Sequence, residues 1–295
     1  MNEAWQRSQY ACDVDGIVSV DPVFIQKMVE INGNVTLEDG TVLTGENTAE
    51  YMLNTIYKEV PVSLQDTYFE YIASTIMNNA FSNMDITKMM KVAQSIGELT
   101  RNRHFYAYTF HDDEAKYFQG AGLAKGTPDS ETDPEVGIYL NEQNPSKLGW
   151  YIDRKAQITK TGQNADGSKT YHVTYTLTNT LTSSEMATCT GYILGGEQAG
   201  VTGKPVAAPG TSAQRMLFYA PKGGSISEIT SSGDVRDQSN AVMDDQKLVT
   251  NVAYIAPGES VTFDFDVTTS PKAESDLTID QTPSGKMTNE VNYQY

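Results

Sequence analysis

Three carboxylates surround one short apolar segment near the start of the chain. Asp13 and Asp15 precede the segment GIVSV, and Asp21 follows it directly before Pro22. Asp13 and Asp15 would share one face, because side chains of a strand alternate between its two faces. If GIVSV is a buried strand, Asp21 lies at its carboxyl end, where open α/β sheets bind ligands. The other interpretation is that Asp21 caps a helix beginning at Pro22, since both residue types suit these positions.

Other residue types that catalyse reactions or bind metals are scattered along the chain. The three histidines, at positions 104, 111 and 172, form no metal-binding spacing. No G-x-S-x-G turn presents a nucleophilic serine. Cys12 and Cys189 belong to no CxxC motif, so we expect both thiols to be unpaired. A Cys12–Cys189 disulfide, which would join the two halves of the chain, is the less favoured alternative. We therefore expect no cofactor.

The composition limits the class of partner. With 295 residues the chain is long enough for two domains, and its formal net charge is −17. Such acidity argues against non-specific nucleic-acid binding, which requires clustered Lys and Arg. No apolar run approaches the roughly 20 residues that span a bilayer, and the first residues lack the features of a secretory signal.

Helical signals dominate from residue 21 to about residue 122. We predict five helices, which begin at Pro22, after Thr44, at Ser63, at Asp85 and at about Asp112. Asp66 would complete an S-x-x-D capping box at the third helix. The segment VTLEDGTVL, with Asp39-Gly40 at its centre, predicts a hairpin.

The pattern changes near residue 136. The segments VGIYL, LGWYIDRKAQITK, TYHVTYTLTNT, RMLFYA, KLVTNVAYI and SVTFDFDV are rich in β-branched and aromatic residues or alternate in polarity. Short strands separated by Gly-, Ser- and Pro-rich loops are typical of an antiparallel β-sandwich. We therefore expect an α/β (α+β) unit over residues 1–150 and a β-sandwich domain over residues 151–295.

Several segments together carry a family resemblance. In order they are VDGIVSVDPVFIQKMVEINGNV, GENTAEYMLNTIY, LQDTYFEYIASTIM, NEQNPSKLGWYIDR, FYAPKGG and APGES. This series resembles the bacterial extracytoplasmic domain-of-unknown-function family 4012 over nearly the whole chain. The resemblance implies a cell-surface protein of the bacterial envelope, held to the membrane only by an anchor outside these 295 residues.

A more remote resemblance concerns the N-terminal unit. LTGENTAEYMLNTIY is similar in layout to the LytR-CpsA-Psr phosphotransferases, which attach anionic glycopolymers to peptidoglycan. In that family, arginines on two helices hold the pyrophosphate of a polyprenyl-linked substrate. Here Met52, Leu53 and Asn54 stand where an arginine is expected, and the third helix begins with SLQDTYF. These departures argue against phosphotransfer.

The two resemblances imply two functions. The leading hypothesis is a non-catalytic module that binds cell-wall glycopolymer or peptidoglycan, or scaffolds surface partners. The alternative is a glycopolymer phosphotransferase that uses Mg²⁺. Under that alternative, Asp21 would hold Mg²⁺, other candidates would line the cleft, and a cation would face the pyrophosphate. The candidate catalytic residues are Asp21, Asn47, Asp66 and Arg101, and the candidate ligand-binding residues are Tyr51, Lys147 and Arg154.

Overall fold

The computed structural model describes residues 2–82, 84–195, 204–243 and 246–295, which form an α+β chain with mostly antiparallel sheets. Seven of the described helices precede residue 121, and two short ones follow residue 182. They are α1 (Asn2–Gln6), α2 (Pro22–Asn32), α3 (Thr48–Glu50), α4 (Ile56–Glu59), α5 (Val62–Ser82), α6 (Ile86–Arg101), α7 (Asp112–Gly120), α8 (Ser183–Thr188) and α9 (Gly191–Leu194). A π-helical segment, Tyr51–Thr55, joins α3 to α4.

Local sequence chemistry explains where α2 and α6 begin. Asp21 caps α2 and Asp85 caps α6, each through a side-chain oxygen that accepts a backbone N–H, so both predicted starts are confirmed. The predicted capping box at Ser63 is wrong, because α5 begins at Val62 and Ser63 lies inside the helix. One face of α5 carries Ile72 and Ile76, four residues apart, into the helical core.

Two small antiparallel sheets lie among the helices. Strand β1 (Gly16–Val20) pairs with β4 (Phe105–Thr109), and β2 (Val35–Thr36) pairs with β3 (Val42–Leu43) across the predicted hairpin. The expectation that GIVSV is a buried strand is wrong, because Val18 is 61% exposed. Since the one strand paired with β1 among the described residues is antiparallel to it, Asp21 does not lie at the edge of an open parallel sheet there.

Two larger sheets contain the remaining strands. The six-stranded sheet has the order β10 (Thr230–Ser231), β13 (Ser260–Thr268), β7 (Lys169–Asn179), β6 (Ile152–Gln163) and β15 (Glu290–Gln294), with β9 (Ser225–Ile226) also on β13. The five-stranded sheet has the order β11 (Asp234–Met243), β12 (Gln246–Ile255), β8 (Ser212–Tyr219), β5 (Glu135–Glu142) and β14 (Thr278–Gln281). Strands β14 and β15 pair in parallel with β5 and β6, whereas the other described pairings are antiparallel.

Side chains from both large sheets contribute to one hydrophobic core. Its largest fully buried members are Tyr171, Tyr175, Phe218 and Phe263. Strand β5 belongs to these sheets although it precedes residue 151, so residues 135–142 pack with the strand-rich part. The division of the chain after residue 150 remains a prediction.

A buried ion pair connects the helical part to the strand-rich part. Arg103, which follows α6 with a φ of 64°, donates to both carboxylate oxygens of Asp280 on β14. Their side chains are 10% and 1% exposed. Tyr139 also donates to Asp280, at 2.6 Å. A carboxylate at this depth is stable only with such partners, so the contact fixes how α6 meets the five-stranded sheet.

Candidate functional site

A pocket lies where the helical part meets the strand-rich part, and we call it the junction pocket. Its volume is about 370 Å³, and its lining includes Asp21, Tyr57, Lys147, Trp150, Arg154 and residues 283–285. A neighbouring cavity of about 340 Å³ shares Trp150, Arg154 and Gly285 with it. The structure therefore brings three sequence-predicted candidates, Asp21, Lys147 and Arg154, into one place.

Asp21 uses both carboxylate oxygens within the protein. Oδ1 accepts the backbone N–H groups of Val23 and Phe24, each at 3.0 Å. Oδ2 lies 2.7 Å from Nδ1 of His104, and Nε2 of His104 lies 3.0 Å from the Met287 carbonyl oxygen. His104 is 1% exposed. Asp21 therefore has a structural role as helix cap and as partner of a buried imidazole.

This geometry does not suit Asp21 as a ligand of Mg²⁺, the role that the phosphotransferase alternative gives it. Magnesium requires carboxylate oxygens that are free to enter an octahedral shell, and those of Asp21 are already bonded. Within the described ranges, no group of three or more His, Cys, Asp and Glu side chains is arranged to hold a metal ion. No catalytic step through a metal follows from this arrangement.

Arg154 is the most unusual side chain of the junction pocket. It occupies a position on β6 between the core residues Ile152 and Ala156, and side chains two apart in a strand face the same way. Its Nη1 donates to the carbonyl oxygens of Thr282 and Pro283, at 2.6 and 3.1 Å. Its Nε is shielded from solvent and has no hydrogen-bond partner among the described residues. Burial lowers the pKa of Arg154 below its usual range, and the nearby Tyr175 hydroxyl partly opposes this effect.

Lys147 supplies a second cation to the same pocket. Its ammonium lies 4.9 Å from the ring centre of Tyr57 and 5.4 Å from that of Tyr192, within the range of cation–π attraction. Burial raises the pKa of the Tyr57 hydroxyl, an effect that nearby Lys147 opposes. Tyr57 therefore remains a neutral aromatic surface at physiological pH.

Trp150 forms an aromatic wall between the two cavities. It is half-buried in the 3₁₀ turn Leu148–Tyr151. A Cβ added to Gly285 would lie 2.9 Å from two carbons of the indole, closer than real side chains approach. The segment carrying Gly285 therefore lies directly on the indole, and only glycine fits there without displacement.

The second carboxylate of the pocket is also engaged. Glu142 accepts from the Ser212 hydroxyl at 2.6 Å, from the Gln214 amide at 2.9 Å and from the backbone N–H of Ala213 at 2.9 Å. Asp21 and Glu142 therefore stabilise the protein itself, whereas Lys147 and Arg154 form no ion pair with any described residue. The pocket thus presents cations and aromatic rings to a ligand.

The other four candidates do not line the junction pocket. Asn47 holds the turn before α3, accepting from the Thr44 N–H at 2.7 Å. Asp66 is exposed on α5, and Arg101 is exposed in the last turn of α6. The Tyr51 hydroxyl lies 3.3 Å from that of Tyr68, which donates to Asp39. The structure does not join these residues into a cleft with Asp21.

The two cysteines are free thiols in this structure. Cys12 is exposed, and Cys189 is partly exposed with its sulfur 3.6 Å from the Tyr151 hydroxyl.

Sequence reasoning missed four contributors to this region, namely Tyr57, His104, Trp150 and the segment 283–285. Trp150 had a usable signal, because an aromatic residue lies between the candidate cations Lys147 and Arg154 in NEQNPSKLGWYIDR. His104 and residues 283–285 had none, since their contacts are with residues more than 80 positions away.

Comparison with known proteins adds a partial match. Residues 1–57 match the family model described as Protein of unknown function (DUF4012). This match supports the unknown-function family expected from the sequence, over the first 57 of 295 residues. No curated protein matches the chain. The similarity to LytR-CpsA-Psr enzymes is not confirmed and remains a prediction.

Among solved structures, a “putative nutrient binding protein” from Legionella pneumophila is similar at 12% identity with a TM-score of 0.23. The match covers 47% of this chain, and the chain spans 44% of that protein. So low a score supports no argument about fold or function. No helix among the described residues is long and apolar enough to cross a membrane.

Proposed function

We propose that this chain is an extracytoplasmic module of the bacterial cell envelope that binds cell-wall glycopolymer or peptidoglycan, without catalysis, in the junction pocket. The observation that carries the proposal is a half-buried tryptophan beside two cations that have no carboxylate partner among the described residues. A concave site with aromatic walls and a few converging polar groups is the usual form of a ligand site. The apolar faces of sugar rings suit such walls.

The proposal extends to the architecture around the pocket. The shared core of the two large sheets supports their description as a β-sandwich. The order of helix and strand segments from residue 16 to 120 supports a LytR-CpsA-Psr-like unit on the other side of the pocket. In this arrangement the segment between β5 and β6 supplies Lys147 and Trp150, strand β6 of the sandwich supplies Arg154, and the helical unit supplies Tyr57. The resemblance to family 4012 supports the extracytoplasmic location and a membrane anchor outside this sequence.

A non-catalytic role is favoured by the state of the acidic groups. A phosphotransferase of the LytR-CpsA-Psr type would need several arginines around the pyrophosphate and a metal ligand. Arg154 is the one arginine in the described lining of the junction pocket, and both oxygens of Asp21 are bonded within the protein. We accordingly propose glycopolymer binding as the function and keep phosphotransfer as the alternative.

The test is a binding measurement with purified peptidoglycan fragments and with soluble cell-wall glycopolymer. Trp150→Ala should weaken binding by roughly thirtyfold or more, the effect typical of a buried aromatic contact residue. Trp5→Ala is the matched control, because Trp5 is 37% exposed on α1 and does not line the pocket. Thermal unfolding of each variant verifies that the fold is retained.

Two results would overturn the proposal. Wild-type protein that binds none of these polymers would remove the binding function. Formation of a transferred product from a polyprenyl-pyrophosphate-linked substrate with Mg²⁺ would replace binding with phosphotransfer.

A further inference from the structure

We infer that the junction pocket contains a subsite for an oxyanion, so that the bound polymer carries a carboxylate or a phosphate on its sugars. Arg154 and Lys147 would form this subsite. The inference rests on the proposed function and specifies its ligand class.

Arg154 has hydrogen-bond donors that the described residues do not use. A guanidinium has five N–H donors in a planar fork. Nη1 is occupied by the Thr282 and Pro283 carbonyl oxygens. Among the described residues, neither Nε nor Nη2 has a hydrogen-bond acceptor, and Nε is shielded from solvent. Nη2 is therefore the donor of this guanidinium that remains for an oxygen of a carboxylate or phosphate.

A purely structural role explains only part of the Arg154 guanidinium. An arginine that only held the segment 282–283 in place would be explained by its Nη1 contacts. That role does not account for a partly buried cation whose Nε and Nη2 have no acceptor among the described residues, since charges removed from water are normally paired. Some exposure of the side chain remains, so a ligand in the pocket can approach it.

Charged side chains surround both the junction pocket and the neighbouring cavity. Lys286 pairs with Asp153 at 2.5 Å, and Lys155 pairs with Glu290 at 3.1 Å, around the neighbouring cavity. Those charges neutralise one another, and the carboxylates of the junction pocket are bonded internally. Lys147 lies over aromatic rings and has no carboxylate partner among the described residues. The junction pocket is thus lined by two carboxylates that bond within the protein and by two cations that do not, so Lys147 and Arg154 are the charged groups left for a ligand.

The acidity of the whole chain does not prevent this binding. The net charge of −17 repels a polyanion at long range. At about 0.15 M salt the screening length is about 8 Å, so contacts inside the pocket decide the affinity. Measurements should accordingly be made at physiological ionic strength.

The experiment compares three oligomers of similar length by isothermal titration calorimetry. One is neutral (N-acetylglucosamine), one bears carboxylates (galacturonic acid), and one bears phosphates (glycerol phosphate). We expect wild type to bind at least one anionic oligomer about ten- to a hundredfold more tightly than the neutral one, as charge-assisted hydrogen bonds require. The preferred anion identifies whether a carboxylate or a phosphate occupies the subsite.

Three variants assign the preference to residues. Arg154→Lys keeps the charge but loses the fork, and should lose most of the anion preference. Because that change also affects the segment 282–283, Lys147→Gln provides a second test in a side chain that holds no backbone. Lys91→Gln is the control, since Lys91 is exposed on α6 and outside the pocket.

The outcomes separate this inference from the proposed function. Equal binding of neutral and anionic oligomers would overturn the oxyanion subsite and leave glycopolymer binding intact. Binding of none would overturn both. An anion preference that Arg154→Lys and Lys147→Gln leave unchanged would also refute the subsite, because the charge would then act elsewhere.

Discussion

Replacing Asp21 with alanine should destabilise the protein more than removal of a helix cap alone. Loss of an N-cap costs about 0.5–2 kcal/mol. Asp21→Ala would also leave Nδ1 of His104 without its partner, and His104 is 1% exposed. An unsatisfied buried donor costs about 1–3 kcal/mol. We therefore expect a total loss of about 2–4 kcal/mol in the free energy of unfolding.

Asp85 provides a matched control for this prediction. It caps α6 by accepting the Lys88 N–H at 2.8 Å, in an exposed position. Asp85→Ala should cost about 1 kcal/mol, the ordinary value for a cap. Urea denaturation followed by circular dichroism gives both values under identical conditions. Hydrogen exchange at the Val23 and Phe24 amides reports the capping contribution locally.

A third variant separates the two roles of Asp21. Asp21→Asn keeps a favoured capping residue but removes the negative charge that faces His104. It should retain the protection of the α2 amides and still lose more stability than Asp85→Asn. The reasoning is refuted if Asp21→Ala costs no more than Asp85→Ala, since the contact with His104 would then contribute nothing.

Three further predictions concern other parts of the structure. Asp280→Asn should cost roughly 3–5 kcal/mol, because it leaves a buried guanidinium without its counter-charge; chemical denaturation measures this. The hydrogen bond that His111 donates to the Asp15 carboxylate raises the pKa of His111, so its NMR titration midpoint should lie above 6.5 and fall in Asp15→Asn. The stabilisation from His111 is therefore present below the unfolded-state pKa and is lost as the pH rises through the folded value. Gly285→Ala should displace the segment that lies on Trp150 and shift its fluorescence emission.

Each of these predictions has its own control. Glu290→Gln breaks the exposed pair with Lys155 and should cost less than about 1 kcal/mol; an equal loss in Asp280→Asn would contradict the first prediction. A His111 midpoint that does not change in Asp15→Asn would exclude the carboxylate as the cause. Fluorescence should be recorded in a Trp5→Phe background, because the chain has two tryptophans. An unchanged Trp150 spectrum would show that the segment accommodates Gly285→Ala without displacing the indole ring.

The helix starts and turns could be predicted because their causes are local. Asp21 and Asp85 accept N–H groups two or three residues away, and a hairpin turns at Asp39-Gly40. The Ser63–Asp66 capping box failed because α5 begins one residue earlier, after Pro61, where a proline stops the preceding segment. The buried face of α5 also has a local cause, since the helical period places Ile72 and Ile76 on one face.

The pairing of strands was less predictable. Strands β14 and β15 join the large sheets in parallel at their edges, with partners more than 130 residues away. Strand β1 has an apolar sequence, yet it lies in a two-stranded sheet with most of its side chains exposed. Alternation of residue types predicts that a segment is a strand. It predicts neither which strand pairs with it nor whether a second layer buries it.

The amino-acid sequence by itself determined that this is an acidic α+β chain with helices before strands and an Asp-Pro helix start. Only the tertiary structure decided that Asp21 serves His104, that Arg103 pairs with Asp280, and that Arg154, Lys147 and Trp150 meet in one pocket. The physical reason is the range of the interactions. Capping and helical periodicity act over a few residues, whereas the charge left uncompensated on Arg154 depends on which distant carboxylates folding brings near it.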